Sequence, residues 1–576
     1  MWCKSCNKIV YGEVCDTCGQ QAVETPPVEL FWCSECRIPI IRNSDTLYVE
    51  KCPVCGNKIR YLAKDLRPVF PEERLLLEVL ENKPLEFIDK SIWATGSKYY
   101  VDGKPINLSI DKLKKVDVDT LIENLNKYKD NNSYAFFNAN IKLFIKANRE
   151  RLQSIEDEAF SFVKEQVQKL SSHEIVISFS GGKDSTVVAD IVTRALSNPS
   201  LVHIFGDTTL EFPATYEYVA RFRQNNPKTI LKVAKNKEQD FYSVCEEIGP
   251  PARMMRWCCT MFKTGPITRV LNSLFRDKKV LTFYGIRKGE SVSRSKYDRV
   301  ANGSNVKIQK QTVAAPIFNW GDIDVWLYLL GEEVDFNEAY RLGYDRVGCW
   351  CCPNNTIRAQ LLSKVYMPEQ SRKWRNYLIE FAKSIGKSDA EVYVDDGKWK
   401  ARQGGNGLAA AEDVKIKFTN CTAEEHAKIY KINREVSDEF LNLFTPFGRV
   451  SKELGRKLLS ETLVLDLSTN VPILSIQPMK SDSYDFAVKI KTLNVADHDA
   501  LQRMVAYQIR KFNACRKCLK CESVCPFGAI TVSAVEYKIN SDKCKRCKKC
   551  VTNKYLSGGC LMDRFLKSKS GETYEN

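Results

Sequence analysis

Glu174-Ile-Val-Ile-Ser-Phe-Ser-Gly-Gly-Lys-Asp-Ser185 joins a short apolar run to a loop of glycine, serine and lysine. Glu174 to Phe179 reads as a buried strand, and Thr186 to Leu196 reads as the helix that follows. Between them lies the octet Ser178-Phe-Ser180-Gly181-Gly182-Lys183-Asp184-Ser185. Its glycines let the backbone turn tightly and bring N–H groups close to an anion, and the helix adds its positive N-terminal end. Lys183 contributes a charge, and Ser180 and Ser185 contribute hydroxyl donors. The longer spacing and terminal Lys-Ser/Thr of the Walker loop are absent. At a strand–helix junction the octet predicts a phosphate- or nucleotide-binding loop; the plain alternative is a structural turn.

Outward from the loop, strand and helix keep alternating. Leu201-Val-His-Ile-Phe205 is a second strand, ending in Gly206-Asp207-Thr208, and Val280-Leu-Thr-Phe-Tyr-Gly285 is a third. This alternation predicts an α/β domain over residues 171–356 with a doubly wound parallel sheet, whose ligands bind at the carboxyl ends of the strands. With 576 residues the chain holds several domains. Residues 63–170 read as an α+β spacer without evident chemistry, with helices at 71–82 and 139–170 and a hairpin near 97–107 turning at Asp102-Gly103. Residues 357–510 begin helical and turn to α+β, with strands expected at Val414–Phe418, Pro472–Gln477 and Phe486–Leu493.

Twenty-three cysteines, nearly all in Cys-x-x-Cys pairs, triplets or adjacent pairs, argue for metal rather than disulfides in a long intracellular chain. With only four histidines the sites must be thiolate sites, which suit zinc and iron–sulfur clusters. Residues 1–62 are a tandem of four-cysteine, zinc-ribbon-like modules. Cys3, Cys6, Cys15 and Cys18 form one set, and Cys33, Cys36, Cys52 and Cys55 the other. Each would hold one ion, structural zinc or a rubredoxin-like single iron, and gain its stability from it. Residues 511–565 carry Cys515-x-x-Cys518-x-x-Cys521-x-x-x-Cys525-Pro526, the bacterial ferredoxin run, then Cys544-x-x-Cys547-x-x-Cys550 and Cys560. By the crossed rule of two-cluster ferredoxins, Cys515, Cys518, Cys521 and Cys560 hold one [4Fe-4S] cluster and Cys525, Cys544, Cys547 and Cys550 the other. Arg516, Lys517, Lys520, Lys543, Lys545, Arg546, Lys548 and Lys549 crowd these runs. They offset cluster charge and would also dock an acidic electron donor, or they form an ordinary solvated face.

Six motifs in order make residues 171–356 resemble the phosphoadenosine phosphosulfate (PAPS) and adenosine phosphosulfate (APS) reductase family, a branch of the PP-loop adenine-nucleotide hydrolases. They are Ser178–Ser185; Asp207-Thr-Thr-Leu-Glu-Phe-Pro-Ala-Thr-Tyr216; Cys258-Cys259 with Lys263; Gly285-Ile-Arg-Lys-Gly-Glu-Ser291 with Arg294; Pro316-Ile-Phe-Asn-Trp320 with Asp324-Val-Trp326; and Gly343-Tyr-Asp-Arg-Val-Gly-Cys-Trp-Cys-Cys-Pro353. The resemblance implies that Ser180, Gly181, Gly182, Lys183, Asp184 and Ser185 hold the phosphate or sulfate end of an adenine nucleotide. It sets Asp207 and Thr208 beside the nucleotide, and has Arg287, Glu290 and Arg294 help to grip the anion. Lys183, Asp184, Arg287 and Arg294 are the candidate catalytic residues. Cys258, Cys259, Cys349 and Cys352 match the pattern by which APS-type reductases hold one further [4Fe-4S] cluster.

The formal charge of +16 treats every cysteine as neutral. Two four-thiolate ions and three clusters would lower it to about +6, which weakens a nucleic-acid reading from charge alone. No apolar run long enough for a transmembrane helix and no apolar leader after Met1-Trp-Cys3 are present, so a cytoplasmic protein is expected.

The leading expectation is a reductase that cleaves APS or PAPS to sulfite, with electrons relayed through the ferredoxin module. The family's nucleophilic cysteine sits near the C-terminus in a Glu-Cys-Gly-Leu-His segment, and Lys567–Asn576 has no cysteine. A thiolate nucleophile would then be Cys245, Cys351 or Cys421, or electrons are delivered without a covalent sulfur intermediate. The alternative is a PP-loop ATP pyrophosphatase activating a substrate for sulfur insertion into tRNA or the DNA backbone, with nucleic acid as partner. A non-enzymatic iron–sulfur scaffold is the third reading, opposed by the intact loop.

Overall fold

The computed structural model describes residues 2–3, 8–9, 14–15, 17–19, 28–43, 51–291, 294–411, 414, 416–481, 484–556 and 558–567. Cys6 and the side chain of Cys3 lie outside them, so the Cys3/Cys6/Cys15/Cys18 set is not described.

The central domain is a six-stranded sheet built from β1 (Glu174–Phe179), β2 (Val202–Asp207), β3 (Ile230–Lys235), β4 (Val280–Phe283), β5 (Val300–Ala301) and β6 (Gln311–Ala314). Their order is β3-β2-β1-β4-β6-β5, and every neighbouring pair is parallel except the short edge pair β5–β6. Strand order reverses between β1 and β4, which opens a crevice at their carboxyl ends. Side chains of β1 alternate across the sheet: Ile177 and Phe179 join the large core, Val176 the smaller one on the opposite face. On the first face pack Arg149–Lys169, α1 (Lys183–Ala195) and α5 (Asp322–Gly331); on the second packs α4 (Gly265–Phe275). The chain also forms α2 (Pro213–Asn225) and α3 (Phe241–Ile248). This is the doubly wound α/β arrangement that the alternation predicts.

The expected helix over 139–170 is two helices, Ala135–Ala147 and Arg149–Lys169. Asn148 divides them because its side chain serves another segment. Its Oδ1 accepts from the Ile41 amide at 2.7 Å, and its Nδ2 donates to the Pro39 carbonyl at 3.1 Å. Those contacts tie the cysteine-bearing hairpin Val28–Cys33/Ile38–Asn43 to the helices, and one continuous core runs from Leu30 to Tyr340. The hairpin expected near 97–107 is Lys98–Val101 paired with Lys104–Asn107 around Asp102-Gly103, within a four-stranded sheet.

Residues 418–492 form a six-stranded antiparallel sheet. The strand expected at Val414–Phe418 instead begins at Phe418 and runs to Asn420, where it pairs with Ala427–Ile432. Phe418 is where cross-strand partners begin, opposite Tyr430, and β-propensity without a partner does not make a strand. Pro472–Ser481 and Tyr484–Thr492 form the sheet's long hairpin. Helix His498–Ala514 then packs on this sheet and leads directly into the first ferredoxin run, so sheet and cysteine module share a core. Among the described residues no helix is long and apolar enough to cross a membrane.

Candidate functional site

The loop after β1 lies at the crevice. Gly181 has φ of +70°, and a Cβ there would stand 2.9 Å from Thr215 of α2, so a side chain would meet both strain and a clash. The loop is tied down from several sides. The Ser180 amide donates to Ser185 Oγ at 3.1 Å, Ser185 Oγ donates to the Gly182 carbonyl at 2.8 Å, and the Lys183 amide donates to Tyr340 Oη at 2.9 Å. Helix α1 begins at Lys183, three residues earlier than the sequence suggests, so the loop's own lysine and aspartate form its first turn. Tyr340 takes the first amide of that turn, and the Asp184 and Ser185 amides have no partner within the helix. Gly285, after β4, must be glycine because a Cβ would lie 2.6 Å from the Asp184 carbonyl carbon.

Lys183 is 2% exposed and sits in a charge network rather than reaching freely for a ligand. Its Nζ is 3.2 Å from Asp322 and 3.4 Å from Asp184, and it donates to the Asp345 carbonyl. Arg287 bonds Asp184 at 2.6 Å and Asp322 at 2.8 Å. Burial works against both cations, but the two carboxylates outweigh it and hold Lys183 and Arg287 above their ordinary range. Burial likewise works to raise Asp184, and Lys183 and Arg287 pull it down to about 2.

This tetrad corrects one expectation. Arg287 is committed to Asp184 and Asp322 and orders the loop from below. Glu290 pairs with Arg294 and, at 3.3 Å, with Arg346; a carboxylate placed this way positions the arginines and does not itself grip an anion. Arg294 and Arg346 thus share one carboxylate, which leaves the group with a net positive charge. Burial and then the neighbouring Arg346 push Arg294 down to about 10.

Three residues of the supposed spacer reach this network. Asp65 caps α5, accepting from the Asp322 and Ile323 amides at 2.8 and 3.0 Å, and burial together with Asp322 raises its carboxyl to about 6. Arg67 bonds Asp345 at 2.7 Å and forks onto Glu73 at 2.6 and 2.7 Å. Arg358 joins the same two acids. Reading 63–170 as devoid of chemistry missed these residues, since no local motif marks a charge whose partners lie ~280 residues away.

At the end of β2, Thr208 Oγ1 donates to Glu211 at 2.8 Å and lies 3.4 Å from Cys349 Sγ. Glu211 pairs with Cys349 as an isolated bridge, and the Trp350 amide donates to the Leu210 carbonyl. The strand end expected beside a nucleotide is therefore stapled to the cysteine loop. Asp207 accepts from Tyr216 at 2.8 Å and pairs with Lys235 at 3.3 Å. Cys258 and Cys259 sit in mutual hydrogen-bonding contact, with Cys349 and Cys352 in their electrostatic reach and Arg256 against Cys259. The hydrogen bond from Cys258 and then Arg256 hold Cys259 below its ordinary value.

The thiol groups differ in size. Cys33, Cys36, Cys52 and Cys55 have all four sulfurs within 4.8 Å of one another, with Cys33–Cys55 at 3.5 Å and Cys36–Cys52 at 3.9 Å. A tetrahedral zinc thiolate with ~2.3 Å bonds has sulfur–sulfur edges of about 3.8 Å, so these residues fit one ion and are too tight for a four-iron cube. No other group among the described residues is so tight. The C-terminal cysteines group only in part along the two expected sets, since Cys550 interacts with Cys521 before Cys525 and Cys544. Cys515, Cys518, Cys521 and Cys560 interact with one another, and Cys525 interacts with Cys544 and Cys547 while Cys550 interacts with Cys525 and Cys544. Converting Cys52 to serine is expected to abolish metal binding by the tight site and to cost several kcal/mol of stability. Metal analysis and thermal melting of the full chain check this; an unchanged melt would deny the site a structural role.

The ferredoxin module is docked on the central domain. A Cβ on Gly265 would lie 2.5 Å from the Leu519 Cβ, between Cys518 and Cys521. Thr268 Oγ1 is 3.0 Å from Ser523 Oγ, and Arg269 pairs with Glu522 at 3.2 Å. Trp257 to Phe275 is continuous helix, π-form over Thr260–Thr264, so Cys259 stands about 9 Å along the axis from that contact. Cys518, Cys560 and Cys351 share one apolar core, against which Cys258 and Cys349 pack.

None of the three spare thiols is at the phosphate loop. Cys245 is fully buried in α3, Cys351 is buried behind the Cys349/Cys352 loop, and Cys421 lies on the antiparallel sheet. Burial raises Cys245 and Cys351, which makes both poor nucleophiles.

The phosphoadenosine phosphosulfate reductase domain matches residues 174–355. An uncharacterized protein of Methanocaldococcus jannaschii is 27% identical over 470 residues, 70% of this chain and 96% of its own length. A second from the same organism is 31% identical over 264 residues, 45% of this chain and 60% of its own. The adenosine 5'-phosphosulfate reductase of Staphylococcus epidermidis is 26% identical over 186 residues, 31% of this chain and 70% of its own. The domain match takes in the phosphate loop and the Cys258/Cys259–Cys349/Cys352 group, and the match with the named reductase spans under a third of the chain. That part of the chain belongs to the PAPS/APS reductase family of PP-loop proteins.

Proposed function

We propose that the protein reduces an adenylyl-activated sulfate, APS or PAPS, to sulfite. The observation that carries this reading is the staple between the nucleotide crevice and the middle thiol group, Thr208 Oγ1 to Cys349 Sγ at 3.4 Å. A [4Fe-4S] cluster fits the donor set there: four thiols, none drawn in to single-ion distances, beside the cations Arg256 and Lys263. When bound it would supply one-electron redox chemistry, as would two more in the ferredoxin module. The chain's residues supply the rest. The Ser180–Ser185 turn and the first amides of α1 bind the phosphate, Lys183 and Arg287 brace Asp184 so that the turn keeps its shape, and Arg294 with Arg346 meets the sulfate. The net reaction takes two electrons, breaks the bond between sulfur and the bridging phosphate oxygen, and releases sulfite and the nucleotide without a net proton.

A second reading keeps ATP as substrate, cleaved to AMP and pyrophosphate to activate a substrate for sulfur insertion. It is favoured by the burial of Cys245 and Cys351, which makes them poor nucleophiles for attack on sulfate. Anaerobic turnover of the reduced, metal-loaded chain with APS, PAPS and ATP separately decides between them. Sulfite from either sulfate ester is the expected result. Pyrophosphate from ATP with no sulfite would replace the reductase reading by the second.

A further inference from the structure

The ferredoxin module is positively charged throughout its sequence, but the structure divides that charge in two. Around the first run the cations are used internally. Arg516 pairs with Glu247, Lys517 with Glu439, Lys520 donates to the Lys307 carbonyl, and Lys511 to the Cys550 carbonyl. That run faces the central domain through Leu519, Glu522 and Ser523. Around the second run the cations are outside. Residues 536–554 contain seven basic side chains against two acidic ones, and Lys543, Lys545 and Lys549 are exposed and take part in no ion pair among the described residues. In their midst Cys547 is exposed, whereas Cys544 and Cys550 are buried. Phe527, two residues beyond Cys525, presents an apolar ring that is 41% exposed. A nearly exposed redox-site thiol, a ring of unpaired lysines and one apolar contact make a docking face for a redox protein.

We infer that the surface of Lys543, Lys545, Lys548 and Lys549 around Cys547 is where an acidic electron-carrier protein docks and delivers electrons. The inference rests on the reading of Cys525, Cys544, Cys547 and Cys550 as a redox site. In each encounter the partner loses one electron and is oxidised, the Cys547 site gains it and is reduced, and no covalent bond changes. The inner group, buried against the central domain, is the onward side, so the module has a direction. An acidic protein is favoured over a polynucleotide because the charge is centred on a redox-site thiol, which nucleic acid would not use.

The test uses the full metal-loaded chain and, as probe, a reduced acidic plant-type [2Fe-2S] ferredoxin, with cluster bleaching followed by stopped flow. In the wild type the second-order rate is expected to fall by about 10- to 100-fold as ionic strength rises from low to high salt. In the Lys545→Glu/Lys549→Glu variant the low-salt rate is expected to fall by a similar factor and lose its salt dependence. Iron content stays unchanged, and reduction by the cationic methyl viologen radical does not fall. The oxidised ferredoxin is also expected to protect Lys543, Lys545 and Lys549 of the wild type from acetylation, which tests the surface even if the variant loses iron. A salt-independent wild-type rate, an unaltered variant rate, absence of protection, or loss of poly(dT) binding with the ferredoxin rate intact would each overturn the assignment. Sulfite formation driven by methyl viologen is a separate readout: its failure bears on the reductase reading and leaves the docking face standing.

Discussion

Lys183→Ala is expected to lower nucleotide turnover by about 10²- to 10³-fold while leaving the iron content of the chain unchanged. Lys183 is the only lysine in the loop octet, and its ammonium lies between Asp184 and Asp322. Without it Arg287 alone faces both carboxylates, and the turn that presents the amides to the phosphate loses its brace. Breaking a buried ion pair from one side costs about 3–5 kcal/mol, so a lower melting temperature is expected as well. The pH dependence separates this loss from general unfolding. Asp184, held at about 2 against an ordinary 3.8, contributes stability that is fully present above 3.8 and lost as pH falls toward 2. In the variant that acid-side loss should shrink. Turnover at the wild-type rate in a folded Lys183→Ala protein would remove Lys183 from the phosphate site.

Cys258→Ser should take away about a third of the iron, roughly four of twelve atoms on a three-cluster count, and leave the signals of the ferredoxin module in place. The expectation follows from how the thiols group. The strongest thiol partners of Cys258 are Cys259, Cys349 and Cys351, all within the central domain. Sulfite formation should vanish with the iron, because the site beside Thr208 would have lost its redox centre. Iron and acid-labile sulfide per chain, with electron paramagnetic resonance of the reduced protein, read the result. An unchanged iron content would mean that Cys258, Cys259, Cys349 and Cys352 bind something other than a cluster.

These predictions draw on two kinds of information. Local chemistry was legible in the chain itself. Gly181 between strand and helix specifies a tight turn, because a residue without Cβ accepts its φ of +70° without strain. The tight grouping of Cys33, Cys36, Cys52 and Cys55 follows from spacing because short Cys-x-x-Cys turns bring two thiols to one point. The parallel sheet was readable because βαβ connections leave few topologies open.

What the residues do to one another was legible only in three dimensions. Arg287 reads in sequence as a free anion-binding arginine and is bound to Asp184 and Asp322, which lie 103 and 35 residues away. Asp65 and Arg67 belong to the site although nothing near them announces chemistry, since an ion pair is set by distance in space and leaves no periodicity in the chain. Asn148 interrupts a well-formed helical pattern because a strand more than a hundred residues earlier needs its amide. The lysines of the two C-terminal cysteine runs are alike by composition, and only packing against the rest of the chain decides which are neutralised and which face solvent. Sequence by itself determined the loop, the sheet and the Cys33/Cys36/Cys52/Cys55 set, which depend on local backbone and short spacings. Tertiary structure decided how the described buried charges pair, because burial and Coulomb energy depend on what the fold brings together.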